Sequence, residues 1–327
     1  MRRPDPGLRL LAGLVLLLAT PARADLREAL STLMAEDARL QSLGWALARG
    51  NAPFCPDAPP GAGLLLLDAA SFRDPPAIRA ALGLDGDMAV GAVAAQSPAA
   101  RAGLRAGEEV LAVDGVPMEA LPPASPGDPL RLAGLHDRIA QALAARGTMA
   151  LRLKDRTVTL TGEPACASRF ELALAGRRAV AEGHRVVIGR DMFNAHPDDS
   201  EAAFVIAHEL AHNILRHRAR LEAGGRLTGE VRRTEREADR LAVWLMANAG
   251  YDPAAALRFA DTRQRTGIRG ILPGPTHDGW QARRELMARE LDAMAEARRR
   301  QPNGLLDWRA RFGLAAKPAI PASPVLR

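Results

Sequence analysis

Apolar residues fill ten of the fourteen positions of residues 202–215. A helix that is hydrophobic nearly all round is buried, and residues 197–200, Pro-Asp-Asp-Ser, supply a typical helix start. The same run also holds His208, Glu209 and His212. Burying an unpartnered polar group costs on the order of 1 to 3 kcal/mol. The pattern therefore favours a shared ligand over the alternative, a core helix whose histidines are satisfied by hydrogen bonds.

The spacing of these three residues indicates which ligand they share. His208 and His212 stand four residues apart, so their imidazoles lie one above the other on one helix face. Glu209 points about 100° round the helix, toward a water on the ion rather than the ion itself. This is the H-E-x-x-H arrangement of zinc hydrolases. It predicts one Zn²⁺ per chain, held by the two histidines, with Glu209 as the catalytic base.

A catalytic zinc site normally has a third protein ligand, and the next helix offers one. Residues 229–249 predict an amphipathic helix, and Glu235 falls on its apolar stripe. Glu237 falls with several arginines toward the solvated face, which favours an ordinary ion-paired residue. We therefore predict Glu235 as the third ligand, with Glu237 as the alternative. Asp239, one turn after Glu235, is expected to accept the outer N–H of a ligating histidine and to fix its tautomer.

These motifs resemble the gluzincin metallopeptidase family of HtpX, the CAAX prenyl endopeptidases and BepA-like proteins, over roughly residues 164–290. The shared parts are HELAHNILRH, ExEAD, an edge-strand-like segment HRVVIGRDMF before the first helix, and PTH at 275–277. The resemblance implies that His277 lies near the metal, where it would either stabilise the oxyanion or hold the enzyme latent in place of the water. The family usually has T-H-P where this chain has Thr276-His277-Asp278, and the spanning helices of its membrane members are missing here.

A second resemblance covers residues 82–118, LGLDGDMAVGAVAAQSPAARAGLRAGEEVLAVDGVPM, which are similar to a PDZ domain of bacterial proteases. It implies that an extended chain end adds to a strand edge while backbone N–H groups of Leu82, Gly83 and Leu84 receive its carboxylate. Gly83 would permit that close approach. Such a domain can also serve only as a packing partner.

The remaining patterns complete the predicted architecture. Residues 25–49 read as an amphipathic helix, 64–68 as a buried strand that could join the PDZ unit, 130–146 as the groove helix and 280–300 as a charged helix. The fold class is α+β, with a mainly helical zincin-type peptidase domain, a small edge sheet and a small mixed β/α PDZ domain. The predicted units are a signal peptide (1–24), an N-terminal helix and strand (25–75), the PDZ domain (76–163), the peptidase domain (164–312) and a mobile tail (313–327).

The N-terminal residues have the features of a secretory signal. Two arginines precede an apolar run at 10–19, and Ala22-Arg23-Ala24 fits a signal-peptidase site. The run is short for a spanning helix, so we expect cleavage before Asp25 and an exported, periplasmic protein without a spanning segment. A retained signal would instead anchor the chain to the membrane.

Charge argues against a nucleic-acid partner. The first 24 residues contribute +3 of the net charge of +6, and the other basic residues are spread among acidic ones. The sequence shows no basic stripe with interleaved aromatic residues, which nucleic-acid binding would favour.

Export also changes what the two cysteines imply, because disulfides persist outside the cytoplasm. Cys55 and Cys166 are the only pair in the chain, and they would bracket the PDZ unit. We predict a disulfide between them; the alternative is two buried thiols.

Taken together, the motifs, the two resemblances and the signal predict an exported zinc metalloendopeptidase that cleaves envelope proteins in quality control. Its predicted partners are unfolded or C-terminally recognised polypeptides. The alternative is a non-catalytic periplasmic chaperone or peptide-binding protein. The remaining histidines carry no predicted chemistry: His217 is read as structural, and His136, His184 and His196 as surface or loop residues.

Overall fold

The computed structural model describes residues 23–125, 127–266 and 278–314. The helices are α1 (Arg23–Gly50), α2 (Pro75–Leu82), α3 (Pro98–Arg101), α4 (Pro129–Arg146), α5 (Arg190–Asn194), α6 (Asp199–Ile214), α7 (His217–Gly224), α8 (Thr228–Asn248), α9 (Ala255–Thr266) and α10 (Trp280–Arg300). The strands are β1 (Pro60–Gly61), β2 (Leu64–Asp68), β3 (Met88–Val93), β4 (Val110–Val113), β5 (Val116–Pro117), β6 (Thr148–Leu153), β7 (Thr157–Thr161), β8 (Glu163–Pro164), β9 (Arg169–Ala173), β10 (Ala179–Ala181) and β11 (Arg185–Gly189). The predicted α+β class is confirmed.

The predicted PDZ unit is built from two small antiparallel sheets and one covering helix. One sheet has the strand order β5-β4-β6-β7, and the other is the pair β2-β3. Leu64 and Leu66 of β2 lie in the same hydrophobic cluster as Leu135 of α4 and Leu151 of β6. Strand β2 therefore packs as part of this unit, as its apolar run suggested, although the predicted boundary falls at residue 76.

The second unit is mainly helical, and α6 lies at its centre. Asp198 caps the N-terminus of α6, because its side chain accepts a hydrogen bond from the N–H of Glu201. Behind this cap, most side chains of α6 are buried, and the apolar ones lie in one cluster with side chains from α1, α8, α9 and α10. Such surroundings fix the positions of the polar residues that α6 carries.

A three-stranded sheet with the order β10-β11-β9 lies against α6. Strand β11 pairs antiparallel with β10 and parallel with β9. The segment predicted as edge-strand-like, residues 184–193, therefore forms the middle strand and the short helix α5. The edges are β9 and β10, and β10 has only the three residues Ala179–Ala181.

Helix α1 joins the two units. It packs against β3 of the PDZ unit and against β9 and α6 of the other. The approach to β9 is close: a Cβ added at Gly44 would lie 2.4 Å from the ring of Phe170. Among the described residues, no helix is long and apolar enough to cross a membrane.

Candidate metal centre

The three predicted metal ligands come from two helices that pack on each other. His208 and His212 lie on α6, and Glu235 lies on α8. One ligand atom from each of the three side chains lies within 4.8 Å of the other two. The structure thus brings together the three residues that the sequence pointed to.

The distances within this cluster suit a zinc ion. His208 Nε2 lies 3.2 Å from His212 Nε2 and 3.3 Å from a Glu235 carboxylate oxygen, and His212 Nε2 lies 3.5 Å from the other oxygen. Ligand atoms about 2.0 to 2.1 Å from a tetrahedral zinc are separated by roughly 3.3 Å. Two imidazole nitrogens and a carboxylate oxygen are also donor types that zinc accepts. The residues therefore fit zinc in both type and spacing.

Asp239 lies against His208, at the position from which it is predicted to orient the ring. Its Oδ1 lies 3.0 Å from His208 Nδ1, and both of its oxygens accept hydrogen bonds from Arg283, at 2.7 and 2.6 Å. A proton on Nδ1 leaves the Nε2 lone pair of His208 facing the metal position. Burial alone would lower the pKa of His208, but Asp239 and Glu235 raise it to about 10. The two carboxylates thus strongly favour positive charge at this point.

Arg283 was not foreseen from the sequence. It lies in α10, whose many charges predict a solvated surface, yet only 4% of it is exposed. Its guanidinium also stacks on the ring of Trp280, 4.3 Å from the centroid. The aromatic neighbour three residues earlier was the one sequence signal that could have set this arginine apart.

Glu209 lies beside the ligands at the edge of the sheet. Its residue is 6% exposed, and its carboxylate faces the backbone N–H of Ala181 on β10. Burial raises the pKa of Glu209, while His208 and His212 oppose that rise. A carboxylate with a raised pKa next to a metal position is suited to accept and return a proton.

His217 contacts His212 directly, which its spacing in a continuous helix would forbid. Helix α6 ends at Ile214, and Arg216 takes a left-handed conformation with φ of 52° before α7 begins at His217. His217 Nδ1 then lies 2.9 Å from His212 Nδ1, and its Nε2 lies 3.1 Å from Glu237 Oε2. The prediction that His217 has only a structural role assumed an unbroken helix. The prediction that Glu237 lies on the solvated face did not include its contact with the buried His217.

His277 lies outside the described residues. The next residue, Asp278, accepts hydrogen bonds from Arg236 of α8 at 2.5 and 3.0 Å. The role of His277 therefore stays a prediction.

Leu82, Gly83 and Leu84 do not line the cavities along β2 and α4, although Gly83 and Leu84 border a separate cavity of about 360 Å³. They end α2, where Gly83 is the left-handed C-cap with φ of 73° and the N–H groups of Gly83 and Leu84 both donate to the carbonyl of Arg79. These donors are used within the helix end, so the predicted carboxylate loop is corrected.

The cleft of the PDZ unit lies between β2 and α4, facing the second unit. A cavity of about 520 Å³ is lined there by residues 59–64, by α4 and by residues 165–170. A neighbouring cavity of about 260 Å³ extends along β2 toward Asp37 and β9. His136 borders both cavities, and its Nε2 accepts a hydrogen bond of 3.4 Å from the N–H of Leu66.

Two histidines that were read as surface residues are buried. His136 and His196 are each 6% exposed, whereas His184 is exposed, as expected. Burial lowers the pKa of His136 to about 3. His196 lies against the ring of Phe259 and hydrogen-bonds Glu201 and Arg263, so it ties α6 to α9.

Two histidines one turn apart on a buried helix, a glutamate from the next helix and an adjacent buried glutamate define a zinc metallopeptidase site of the gluzincin type. Residues 177–231 match Peptidase family M48, and residues 90–125 match the PDZ domain. These two matches are consistent with a PDZ-containing peptidase of family M48, and the M48 match implies a zinc metalloprotease. The M48 match ends before Glu235, so the choice of that ligand rests on geometry.

Neither a curated protein nor a solved structure matches the chain closely enough to add a relative.

Proposed function

We propose that this protein is an exported endopeptidase that cleaves unfolded polypeptides of the cell envelope, with its PDZ unit holding part of the substrate. The observation that carries the proposal is the convergence of His208, His212 and Glu235 beside Glu209. That arrangement supports hydrolysis rather than binding alone, because a protein that only binds has no need of a buried carboxylate beside a metal position.

The residues of the site divide the proposed reaction among them. A zinc ion held by the three ligands would activate a water and polarise the substrate carbonyl. Glu209 accepts a proton as the peptide bond is attacked and returns it to the leaving amine. Asp239 and Arg283 keep His208 in the tautomer that presents Nε2.

An extended substrate would add to the sheet along β10. Within the described residues this strand pairs with β11 on one side only, and Val180 at its centre is 39% exposed. A strand added there would run past Glu209, since the N–H of Ala181 faces its carboxylate. A polypeptide bound by its backbone can extend on both sides, which supports internal cleavage.

The PDZ unit would bind polypeptide along the free edge of β2. Its cleft with α4 is largely apolar, and the N–H of Leu66 already faces it. His136 already accepts the hydrogen bond from this N–H, so a bound strand would have to displace the His136 side chain. An extended chain end is the ligand that such an edge favours.

Export is supported by the disulfide between Cys55 and Cys166, since disulfides persist in oxidising compartments. The proposal places the mature protein in the periplasm, beginning at Asp25. Expression of the full sequence in a bacterium, followed by cell fractionation and N-terminal sequencing, tests this. Recovery of the uncleaved chain in the membrane fraction would favour an anchored protein instead.

The test of catalysis is degradation of unfolded casein by the purified mature chain. We expect cleavage that a zinc chelator abolishes and that Glu209→Gln reduces by about 10² to 10⁴. Glu230→Gln is the control, since Glu230 lies at the start of α8 and pairs only loosely with Arg233, at 4.0 Å. Binding of casein without cleavage by the zinc-loaded parent would favour a chaperone.

A further inference from the structure

The second metal-binding histidine has a hydrogen-bonded neighbour that the HExxH pattern does not foresee. The left-handed turn at Arg216 ends α6 and returns His217 toward His212, with the two rings edge to face and their centroids 4.8 Å apart. His217 is 1% exposed. The side chain therefore lies in the interior, where its hydrogen bonds fix its orientation.

Proton counting assigns the tautomers along this contact. His212 turns its Nε2 toward His208 and Glu235, so the proton of its neutral ring lies on Nδ1. Among the described residues, the partner for that proton is His217 Nδ1, 2.9 Å away, which must accept. The proton of His217 then lies on Nε2 and is donated to Glu237 Oε2 at 3.1 Å.

Two arginines hold the carboxylate of Glu237 in the position where it accepts from His217. Arg220 of α7 donates to its Oε2 at 2.8 Å, and Arg233, one turn earlier on α8, donates to its Oε1 at 3.0 Å. This arrangement is similar to the one at the first histidine of the site, where Arg283 holds Asp239 and Asp239 holds His208. The difference is that His212 meets its carboxylate through a second imidazole.

We propose that His217 and Glu237 are positioning residues of the metal centre, which fix His212 in the tautomer and orientation that present Nε2 to zinc. The proposal rests on the zinc site described above. Neither residue touches substrate or metal in this arrangement. Their effect is expected in the affinity for zinc and in the tautomers, not in the folding of the chain alone.

The first measurement needs no substitution. In the zinc-loaded parent labelled with ¹⁵N-histidine, long-range ¹H–¹⁵N spectra are expected to show His212 protonated on Nδ1 and His217 protonated on Nε2. A His217 protonated on Nδ1 would overturn the proposal, because that nitrogen could no longer accept from His212.

The second measurement is zinc affinity by competition with a chromophoric chelator. His217→Phe and Glu237→Ala are expected to weaken zinc binding by about 10-fold to 100-fold, and Glu230→Ala, the control on the same helix, to leave it unchanged. Cobalt in place of zinc is expected to give an altered visible spectrum in the first two variants only.

The outcomes separate this proposal from the zinc site itself. A parent that binds no zinc would overturn both. A parent that binds zinc, with both variants binding it equally tightly and with unchanged cobalt spectra, would overturn the positioning role alone. Should His217→Phe not fold, Glu237→Ala and the spectra of the parent still decide the question.

Discussion

Three carboxylates on one helix take three roles because of their angular positions. On α8, Asp239 lies about 40° from Glu235 around the axis, whereas Glu237 lies about 160° away, from 100° per residue. Glu235 therefore meets the two α6 histidines, and Asp239, on the same side, meets the outer nitrogen of His208. Glu237 faces away from the ligands and is connected to the site through His217, because α7 folds back against α8.

The first prediction distinguishes the metal ligand Glu235 from Glu237, which acts on the site through His217. Glu235→Ala is expected to lose most of its zinc after purification, since two imidazoles remain where three ligands were. Glu237→Ala is expected to retain about one zinc per chain in zinc-containing buffer, with the weaker affinity described above. Metal analysis of the purified variants checks this, and equal zinc loss in both would mean that Glu235 is not the distinguishing ligand.

The second prediction concerns the buried pair of Arg283 and Asp239, whose side chains are 5% and 1% exposed. Arg283→Met leaves Asp239 in the interior without its cation, so we expect a loss of about 3 to 5 kcal/mol in the free energy of unfolding. Urea denaturation of the zinc-loaded protein measures it.

The adjacent arginine provides the control. Arg284 pairs with Asp261 at 2.7 Å, but both side chains are about 40% exposed. Arg284→Met is therefore expected to cost less than about 1 kcal/mol. Similar losses in the two variants would show that burial does not distinguish the pairs.

At the scale of elements, the periodicity of apolar residues predicted the helices and strands whose position depends on the local sequence. Helices α4, α8 and α10 and the strand β2 lie within about one residue of their predicted bounds. Periodicity did not predict a turn set by the conformation of one backbone residue, or the burial of a side chain by residues distant in the sequence. The turn at Arg216, a non-glycine residue in a conformation that costs about 1 to 2 kcal/mol, has no sequence signal, and the burial of Arg283 and His136 requires partners from other elements.

Helix α1 shows how an element can carry a pH response. Its Gln41 donates to the carbonyl of Phe170, and its Asp37 faces the backbone N–H of Leu172, so both side chains cover the free edge of β9. Burial raises the pKa of Asp37 to about 7, and the charges of Glu36 and Glu171 add to the rise while the N–H of Leu172 opposes it. The folded protein thus favours the protonated form of this group.

The third prediction follows from the sign of that shift. Because the folded pKa lies above the unfolded one, the contribution of Asp37 to stability is full below about pH 4 and is lost as the pH rises through about 7. Between pH 5 and pH 8 the parent should lose roughly 2 to 3 kcal/mol relative to Asp37→Asn. Urea denaturation across this range measures it. Asp155→Asn, at a largely exposed position, is the control and should follow the parent; an Asp37→Asn curve parallel to the parent's would contradict the prediction.

At the scale of the whole molecule, several contacts among the described residues join the PDZ and peptidase units. Helix α1 packs on both, and the ion pair of Arg169 with Asp137 joins β9 to α4 at 3.4 Å. The disulfide between Cys55 and Cys166 lies in the core cluster of the peptidase unit and closes the loop that contains the PDZ unit. The sequence predicted the disulfide from the number of cysteines and the signal, but it could not place β9 opposite the cleft of β2 and α4. That arrangement depends on contacts between segments more than 100 residues apart, such as Gln41 with Phe170.

The last prediction concerns the disulfide, which spans 111 positions of the chain and encloses the whole PDZ unit. A cross-link closing a loop of this size restricts the unfolded chain, and the chain-entropy account gives about 4 to 5 kcal/mol of stabilisation. We expect the double variant Cys55→Ala/Cys166→Ala to unfold at correspondingly lower urea concentration. A reductant should destabilise the parent to a similar extent and leave the double variant unaffected, which controls for effects of the reductant elsewhere. Mass spectrometry of the unreduced, proteolysed parent should recover the two cysteines in one linked peptide pair. Recovery of both as free thiols, or an unfolding curve of the parent that the reductant does not shift, would mean that α1 and packing alone hold the two units together.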